Sequence, residues 1–357
     1  HIRILPEILS NKIAAGEVVE RPASVVKELL ENALDAGATR IIVDVEKGGR
    51  SLIRISDNGS GMSQDDALLS IERYATSKIY NQDDLFAIKT LGFRGEALPS
   101  IASVSRFALV TRDRGSDYGT EIVIDGGKIK KVSEIGAPVG TMISGKQLFF
   151  NTPARRKFLK SIPTEMGHIA DIVSSMALGR PDVQMKLHHN GRIIKNWIGV
   201  SQPDERVTDV LGKDVHKKLY RVQHEDNRLM LNGWIGFPEV TRTTSRNVYI
   251  YINGRIVKDR VIQHALYEGY AGRIMKGQYP MAVLFLEVPH DTLDVNVHPT
   301  KNEVRFAHQK GVHDAVKWAV SEALKQADEV KWGGGYSSVP QAASTVSEKH
   351  APFHRTM

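Results

Sequence analysis

With 357 residues, 41% of them hydrophobic, the chain is long enough to bury two separate cores. Nowhere does it approach the ~18 consecutive apolar residues of a membrane span, and its start lacks the basic-then-apolar layout of a signal peptide, so a soluble cytoplasmic protein is predicted. The absence of cysteine excludes disulfides, thiolate nucleophiles and cysteine-ligated zinc, and the formal net charge of +7, from 48 basic and 41 acidic residues, is too small to define a partner by itself.

In chain order, the first strong signal is a helix from Pro22 to Gly37. Val25, Val26, Leu29, Leu30, Ala33 and Leu34 recur at helical spacing, Pro22 suits the first turn and Gly37 the C-terminal cap. Arg40 to Glu46 and Ser51 to Asp57 alternate apolar with polar residues around the turn candidate Lys47-Gly48-Gly49-Arg50, as a β-hairpin does. Further strands are predicted near 107–112, 119–124 and 140–144. One helix followed by a run of strands predicts an α+β protein, a two-layer α/β sandwich with a mixed, mostly antiparallel sheet.

The polar stretch Gly199 to Asp204 reads as a connection, which places a first domain at 1–200 and a second at 205–331. Strands are predicted there at Arg228 to Ile235, Asn247 to Ile252 and Pro280 to Val288, with helices at Asp259 to Tyr270 and around Val312 to Leu324. Residues 332–357 turn to Gly, Ser, Pro and Ala without periodicity, the composition of a flexible linker. With the initial histidine, that tail predicts a chain cut from a longer protein, with a missing C-terminal domain. Between Val240 and Lys276 the seven basic residues Arg242, Arg246, Arg255, Lys258, Arg260, Arg273 and Lys276 face only Asp259 and Glu268. A polyanion such as nucleic acid would suit that stretch, and so would a merely solvated basic face.

Four local patterns carry chemistry. On the helical wheel Lys27 and Glu31 fall opposite the apolar stripe, whereas Glu28 and Asn32 fall at its border, one turn apart and pointing the same way. Asp57 continues the inward face of Ile53 and Ile55 and opens Asp57-x-Gly59-x-Gly61, where missing side chains let backbone approach a flat or anionic ligand. Gly92-Phe93-Arg94-Gly95-Glu96-Ala97-Leu98 puts two glycines ahead of an apolar-periodic helix, aiming free N–H groups at a phosphate. Gly140-Thr141 sits in a predicted strand. Taken singly, they describe solvated helix residues, an aspartate-capped turn and a glycine loop that only turns the chain, and for the helix pair and the Asp57 turn that plainer reading is the commoner one.

Their order is more specific, and it resembles the ATPase superfamily of DNA gyrase, the large heat-shock chaperone, sensor histidine kinases and MutL. The segments Asn11 to Pro22, Lys27-Glu-Leu-Leu-Glu-Asn32, Leu34-Asp-Ala-Gly-Ala-Thr39, Ala75-Thr-Ser-Lys78, Gly92 to Leu98, Asn151 to Phe158 and Asp294 to Lys301 resemble signatures of the MutL family of DNA mismatch-repair proteins, in its bacterial form. That resemblance spans roughly residues 2–331 and implies a Bergerat-type ATPase fold followed by a smaller βαβ-containing α/β domain.

It further implies Mg²⁺ and ATP as cofactor and substrate. Glu28 would be the general base, Asn32 the magnesium ligand and Asp57 the adenine contact, assisted by Thr141. Gly59 and Gly61, then Thr76 and the loop Gly92 to Leu98, including Phe93, Arg94, Gly95, Glu96 and Ala97, would surround the nucleotide, and Lys301 would reach the γ-phosphate. Slow hydrolysis would time homodimerisation through the arm Ile2 to Val19 and sequence-independent DNA binding through Arg260, Arg255, Lys258 and Arg242. The implied partners are MutS and a downstream endonuclease or helicase, on the bacterial nucleoid. The alternative is a nucleotide-gated scaffold that does not hydrolyse. Nuclease activity in that family belongs to a separate C-terminal domain, so none is expected of these residues.

Overall fold

The computed structural model describes residues 16, 18–78, 90–92, 95–294 and 304–333. Its first part runs α1 (Pro22–Asp35), β1 (Arg40–Glu46), β2 (Leu52–Asp57), α2 (Gln64–Leu69), α3 (Ala97–Ser103), β3 (Arg106–Arg112), β4 (Gly119–Asp125), β5 (Lys128–Ile135), β6 (Gly140–Lys146), α4 (Pro153–Phe158), α5 (Ile162–Gly179), β7 (Gln184–His189) and β8 (Arg192–Trp197). The strands form one eight-stranded sheet in the order β5-β4-β3-β6-β2-β1-β7-β8. Only the β1–β7 pair is parallel. Ile41, Val43 and Val45 of β1, Ile53 and Ile55 of β2, and Phe107 and Leu109 of β3 point to one face, where α1, α3 and α5 lay their apolar sides into a single core. Each fully buried Leu or Ile there contributes about 1.5–3 kcal/mol.

α1 forms for the reasons its sequence gives: Pro22 occupies the first turn, the apolar stripe is buried, and Gly37 at φ +72° closes the helix in a conformation that a side chain would strain. Its polar back departs from expectation. Glu31 is 3% exposed and paired with Lys27 at 3.8 Å, because Gly254 and Ile256 of the second part cover that side of the helix. β5 escaped the sequence reading because it is an edge strand, KIKKVSEI, with almost every side chain in solvent and no buried face to alternate against.

The second part continues with α6 (Pro203–Leu211), α7 (Lys213–His216), β9 (Leu219–Glu225), β10 (Met230–Gly236), β11 (Thr241–Arg242), β12 (Val248–Ile252), β13 (Arg255–Val257), α8 (Arg260–Gly269), β14 (Tyr279–Pro280), β15 (Ala282–Glu287), β16 (Leu293–Asp294), β17 (Arg305–Phe306) and α9 (Gln309–Gly333). Its five-stranded sheet has the order β13-β12-β15-β10-β9, and β12 runs parallel to β15 with α8 in the crossover, a βαβ unit. Asp259, the N-cap of α8, accepts the Ile262 N–H at 2.9 Å. α8 and α9 cover one face of this sheet. The other face, through Trp234, Tyr251 and Val283, packs on Leu178 of α5 and Val207 of α6, and Tyr251 donates its hydroxyl to the Ser175 carbonyl at 2.6 Å.

Arg206 on α6 is fully buried and locks this junction. Its guanidinium donates to the carbonyls of Ala177, Pro181, Val183 and Ile198, which belong to the last turn of α5 and to the strand connections beyond it. Arg206→Ala orphans these acceptors at about 1–3 kcal/mol each, less whatever water recovers, so a loss of about 3 kcal/mol or more is expected from the urea midpoint at constant m-value. Arg206→Lys is expected to recover only a fraction, since one ammonium cannot span four acceptors.

Candidate active site

A cleft of about 1540 Å³ opens beside α1, floored by the ends of β2 and β6 and walled by the segment before α3 and by residues of β12, β13 and α8. α1 supplies Glu28 and Asn32 to it. Both are half-buried, as border positions of an amphipathic stripe must be. β2 ends in Asp57, which is registered against Thr141 of β6, so one carboxylate and one hydroxyl reach the cleft side by side. Gly61, Thr76, Gly92, Gly95, Glu96, Ala97 and Leu98 line the same space. Gly59 stands just behind and donates its N–H to Asp57 Oδ1 at 2.8 Å. Phe93, Arg94 and Lys301 lie outside the described residues, as does most of the arm Ile2 to Val19.

Burial raises the Asp57 carboxyl above its ordinary range, against the opposing pull of backbone hydrogen bonds from Gly59 and Thr141. Thr111, which the sequence reading passed over, organises this end of the cleft. Its hydroxyl donates to the Gly140 carbonyl, accepts the Met62 N–H and meets the Thr141 hydroxyl at 3.0 Å.

The two glycines of Asp57-x-Gly59-x-Gly61 are also required by the chain's own packing. A Cβ on Gly61, at φ +70°, would lie 1.9 Å from the Arg112 carbonyl oxygen, and one on Gly59 would lie 2.8 Å from that of Ala36. The close approach is between stretches of the chain's own backbone, which seats the loop so that Asp57 faces the cleft.

Of the amides expected to aim at a phosphate, that of Gly92 is already engaged. Asp35, one turn beyond Asn32 on α1, accepts the N–H groups of Leu91 and Gly92 at 2.9 and 3.0 Å. Lys78 donates to Asp35 Oδ2 at 2.6 Å and to Asn32 Oδ1 at 3.0 Å. Asp35 and Lys78 thus belong to the site, although only their presence in the segments Leu34 to Thr39 and Ala75 to Lys78 pointed to them.

The basic residues of the second part divide. Arg260 and Arg242 are exposed. Lys258 is exposed too, but on the wall of the cleft. Arg255 is not a solvent-facing cation: it is 7% exposed and donates to the Thr90 carbonyl at 2.7 Å. Burial depresses its pKa while the carboxylates of Glu31, Asp35 and Glu28 attract it, so it straps the start of the glycine loop to the second sheet. A charge count along the sequence cannot separate these cases.

Two protein-family models match the chain, "Histidine kinase-, DNA gyrase B-, and HSP90-like ATPase" over residues 20–141 and "DNA mismatch repair protein, C-terminal domain" over residues 207–325. The DNA mismatch repair protein MutL of Geotalea daltonii is 53% identical over 330 residues, which are 92% of this chain and 55% of that protein. The N-terminal domain of a DNA repair protein shares the fold with a TM-score of 0.77 at 23% identity, over 90% of this chain and 99% of that one. The Aquifex aeolicus MutL ATPase domain complexed with ADP matches with a TM-score of 0.58 at 29% identity, over 84% of this chain and 98% of that one. The chain spans about half the length of the curated relatives it matches. It belongs to the MutL family of DNA mismatch repair proteins and carries that family's ATPase region.

Proposed function

We propose that the chain is a mismatch-repair ATPase in which binding and slow hydrolysis of Mg-ATP gate homodimerisation, DNA engagement and the coupling of mismatch recognition by MutS to a downstream endonuclease or helicase. The observation that carries this reading is the convergence of Glu28, Asn32, Asp57, Thr141, Gly92 and the stretch Gly95 to Leu98 on one cleft. Glu28 would orient and deprotonate the attacking water, and Asp57 would accept from the adenine amino group. The donors suit magnesium: the Lys78 ammonium resting on Asn32 Oδ1 and Asp35 Oδ2 marks a spot that attracts a cation. Bound at Asn32, Mg²⁺ would neutralise charge on the phosphates.

In the described arrangement the loop is latched to α1. Asp35 holds Leu91 and Gly92, Lys78 occupies Asn32, and Arg255 holds Thr90. Nucleotide would therefore have to release these contacts, and because Arg255 belongs to the second sheet, their release would be felt there. Lys301 is retained as the γ-phosphate contact on sequence resemblance alone. Arg260 and Arg242 are proposed to meet the DNA backbone, whereas Lys258 is as well placed for the nucleotide's phosphates. A cytoplasmic, nucleoid-associated location goes with this reading. Light scattering tests it: a non-hydrolysable ATP analogue with Mg²⁺ is expected to double the apparent mass, and a mass unchanged at saturating analogue would overturn the gate.

A further inference from the structure

Away from the cleft, α8 and α9 bring three metal-ligating side chains together on the outer face of the second part. His264 and Glu268 are one turn apart on α8, and His313 comes from the first turns of α9. His264 Nδ1 lies 3.1 Å from His313 Nε2 and 3.6 Å from Glu268 Oε1, and His313 Nε2 lies 3.9 Å from Glu268 Oε2. The edges of a tetrahedron around zinc, with bonds of about 2.0–2.2 Å, are about 3.3–3.6 Å long. The two edges from His264 Nδ1 are already near that length, and the ligand atoms of the three residues all lie within 4.8 Å of one another, so a rotation of the Glu268 carboxylate completes one face of such a site.

Two further contacts bear on it. His313 Nδ1 meets the Asp314 carboxylate at 3.1 Å, which holds the proton on Nδ1 and turns the lone pair of Nε2 toward His264 and Glu268. Lys317 donates to Glu268 Oε2 at 2.6 Å. That bond leaves Oε1, the oxygen nearer His264, to a metal, but it also places a competing cation on the same carboxylate. Among the described residues no other set of three His, Asp or Glu side chains is gathered in this way.

We propose that His264 Nδ1, Glu268 Oε1 and His313 Nε2 bind a borderline divalent transition-metal ion, with Zn²⁺ the best fit, leaving a fourth position open to solvent. Two imidazoles with one carboxylate suit zinc over magnesium or calcium, which take all-oxygen sets. The ion pins the exposed side of α8 to α9, the helix pair that covers the second sheet, and it sits one turn along α8 from Arg260. The inference is independent of the nucleotide reading, since none of its residues lines the cleft.

Isothermal titration of the intact chain with ZnCl₂, and visible spectroscopy with Co²⁺ as the reporter of tetrahedral geometry, test it. One equivalent is expected to bind and to raise Tm, with affinity at least tenfold lower in His264→Ala and in His313→Ala. Asp314→Asn is expected to weaken it about tenfold, as loss of a partner behind a ligating histidine does. Lys317→Ala is expected to tighten it several-fold by removing the competing cation. His188→Ala serves as the control for adventitious imidazole binding. Since His264 is largely exposed, its loss leaves the fold in place. Unchanged affinity in both ligand variants, or no saturable binding at hundreds of micromolar metal, overturns the site.

Discussion

Glu28→Ala is expected to lower steady-state phosphate release by about 10²–10⁴-fold, the usual share of a positioned general base, while nucleotide affinity stays within a few-fold. That rate loss corresponds to about 2.7–5.4 kcal/mol of transition-state stabilisation. The side chain is placed for the task by the helix that carries it. α1 buries Val25, Val26, Leu29 and Leu30 completely or nearly so, which leaves Glu28 little freedom except at its own rotamers. Alanine is the best helix former and Glu28 is half-buried at the border of the apolar stripe, so α1 and its core packing are expected to remain, and Tm measured beside the rate accounts for the lost attraction to Arg255. Phosphate release measured beside the Kd of a fluorescent ATP analogue separates the two effects. If wild type and variant release phosphate at the same rate, Glu28 is no base, and the nucleotide-gated scaffold without hydrolysis becomes the better account.

The residues of this site that were legible in the sequence lie on elements with strong local periodicity. Glu28 and Asn32 stand out because the stripe of α1 is regular enough to assign their angle, and Asp57 because β2 alternates cleanly up to it. What stayed hidden depends on contacts distant in sequence. Lys78 meets Asn32 and Asp35 across more than forty residues, and Arg255 reaches Thr90 across 165. Arg206 reads as an ordinary helix arginine until its four carbonyl partners are seen to come from α5 and the connections that follow it. The same limit explains the glycines of the Asp57 loop, whose partners, Arg112 and Ala36, are remote parts of the backbone. α5 lacks a clean signal because its apolar residues spread around the helix, as they do when neighbours cover it on several sides.

Asp57→Asn is expected to separate binding from stability. The carboxylate would accept a hydrogen bond from the adenine amino group, and a charged acceptor of this kind is worth about 1.5–3 kcal/mol, or roughly 10–150-fold in Kd. An amide of the same size that presents its N–H₂ to the base offers a donor where an acceptor is needed. ATP affinity is therefore expected to fall by that factor, and discrimination against GTP to shrink, because guanine presents an acceptor at the same position. A merely structural role for Asp57 would leave the ATP-to-GTP ratio unchanged. The folded state without nucleotide responds the other way. Burial raises the Asp57 pKa despite the bonds from Gly59 and Thr141, so the folded chain holds the proton more tightly than the unfolded chain does. For an acid shifted upward, stability declines as pH rises from the unfolded pKa to the folded one, and the penalty is complete above both. Asparagine removes that penalty at neutral pH, so its Tm without nucleotide is expected to match or exceed that of wild type near pH 7. The advantage is expected to disappear as pH falls through the carboxylate range, where wild-type Asp57 is protonated in both states. A variant less stable than wild type at pH 7 and equal to it in ATP affinity would show that the Asp57 carboxylate supports the loop rather than reading the base.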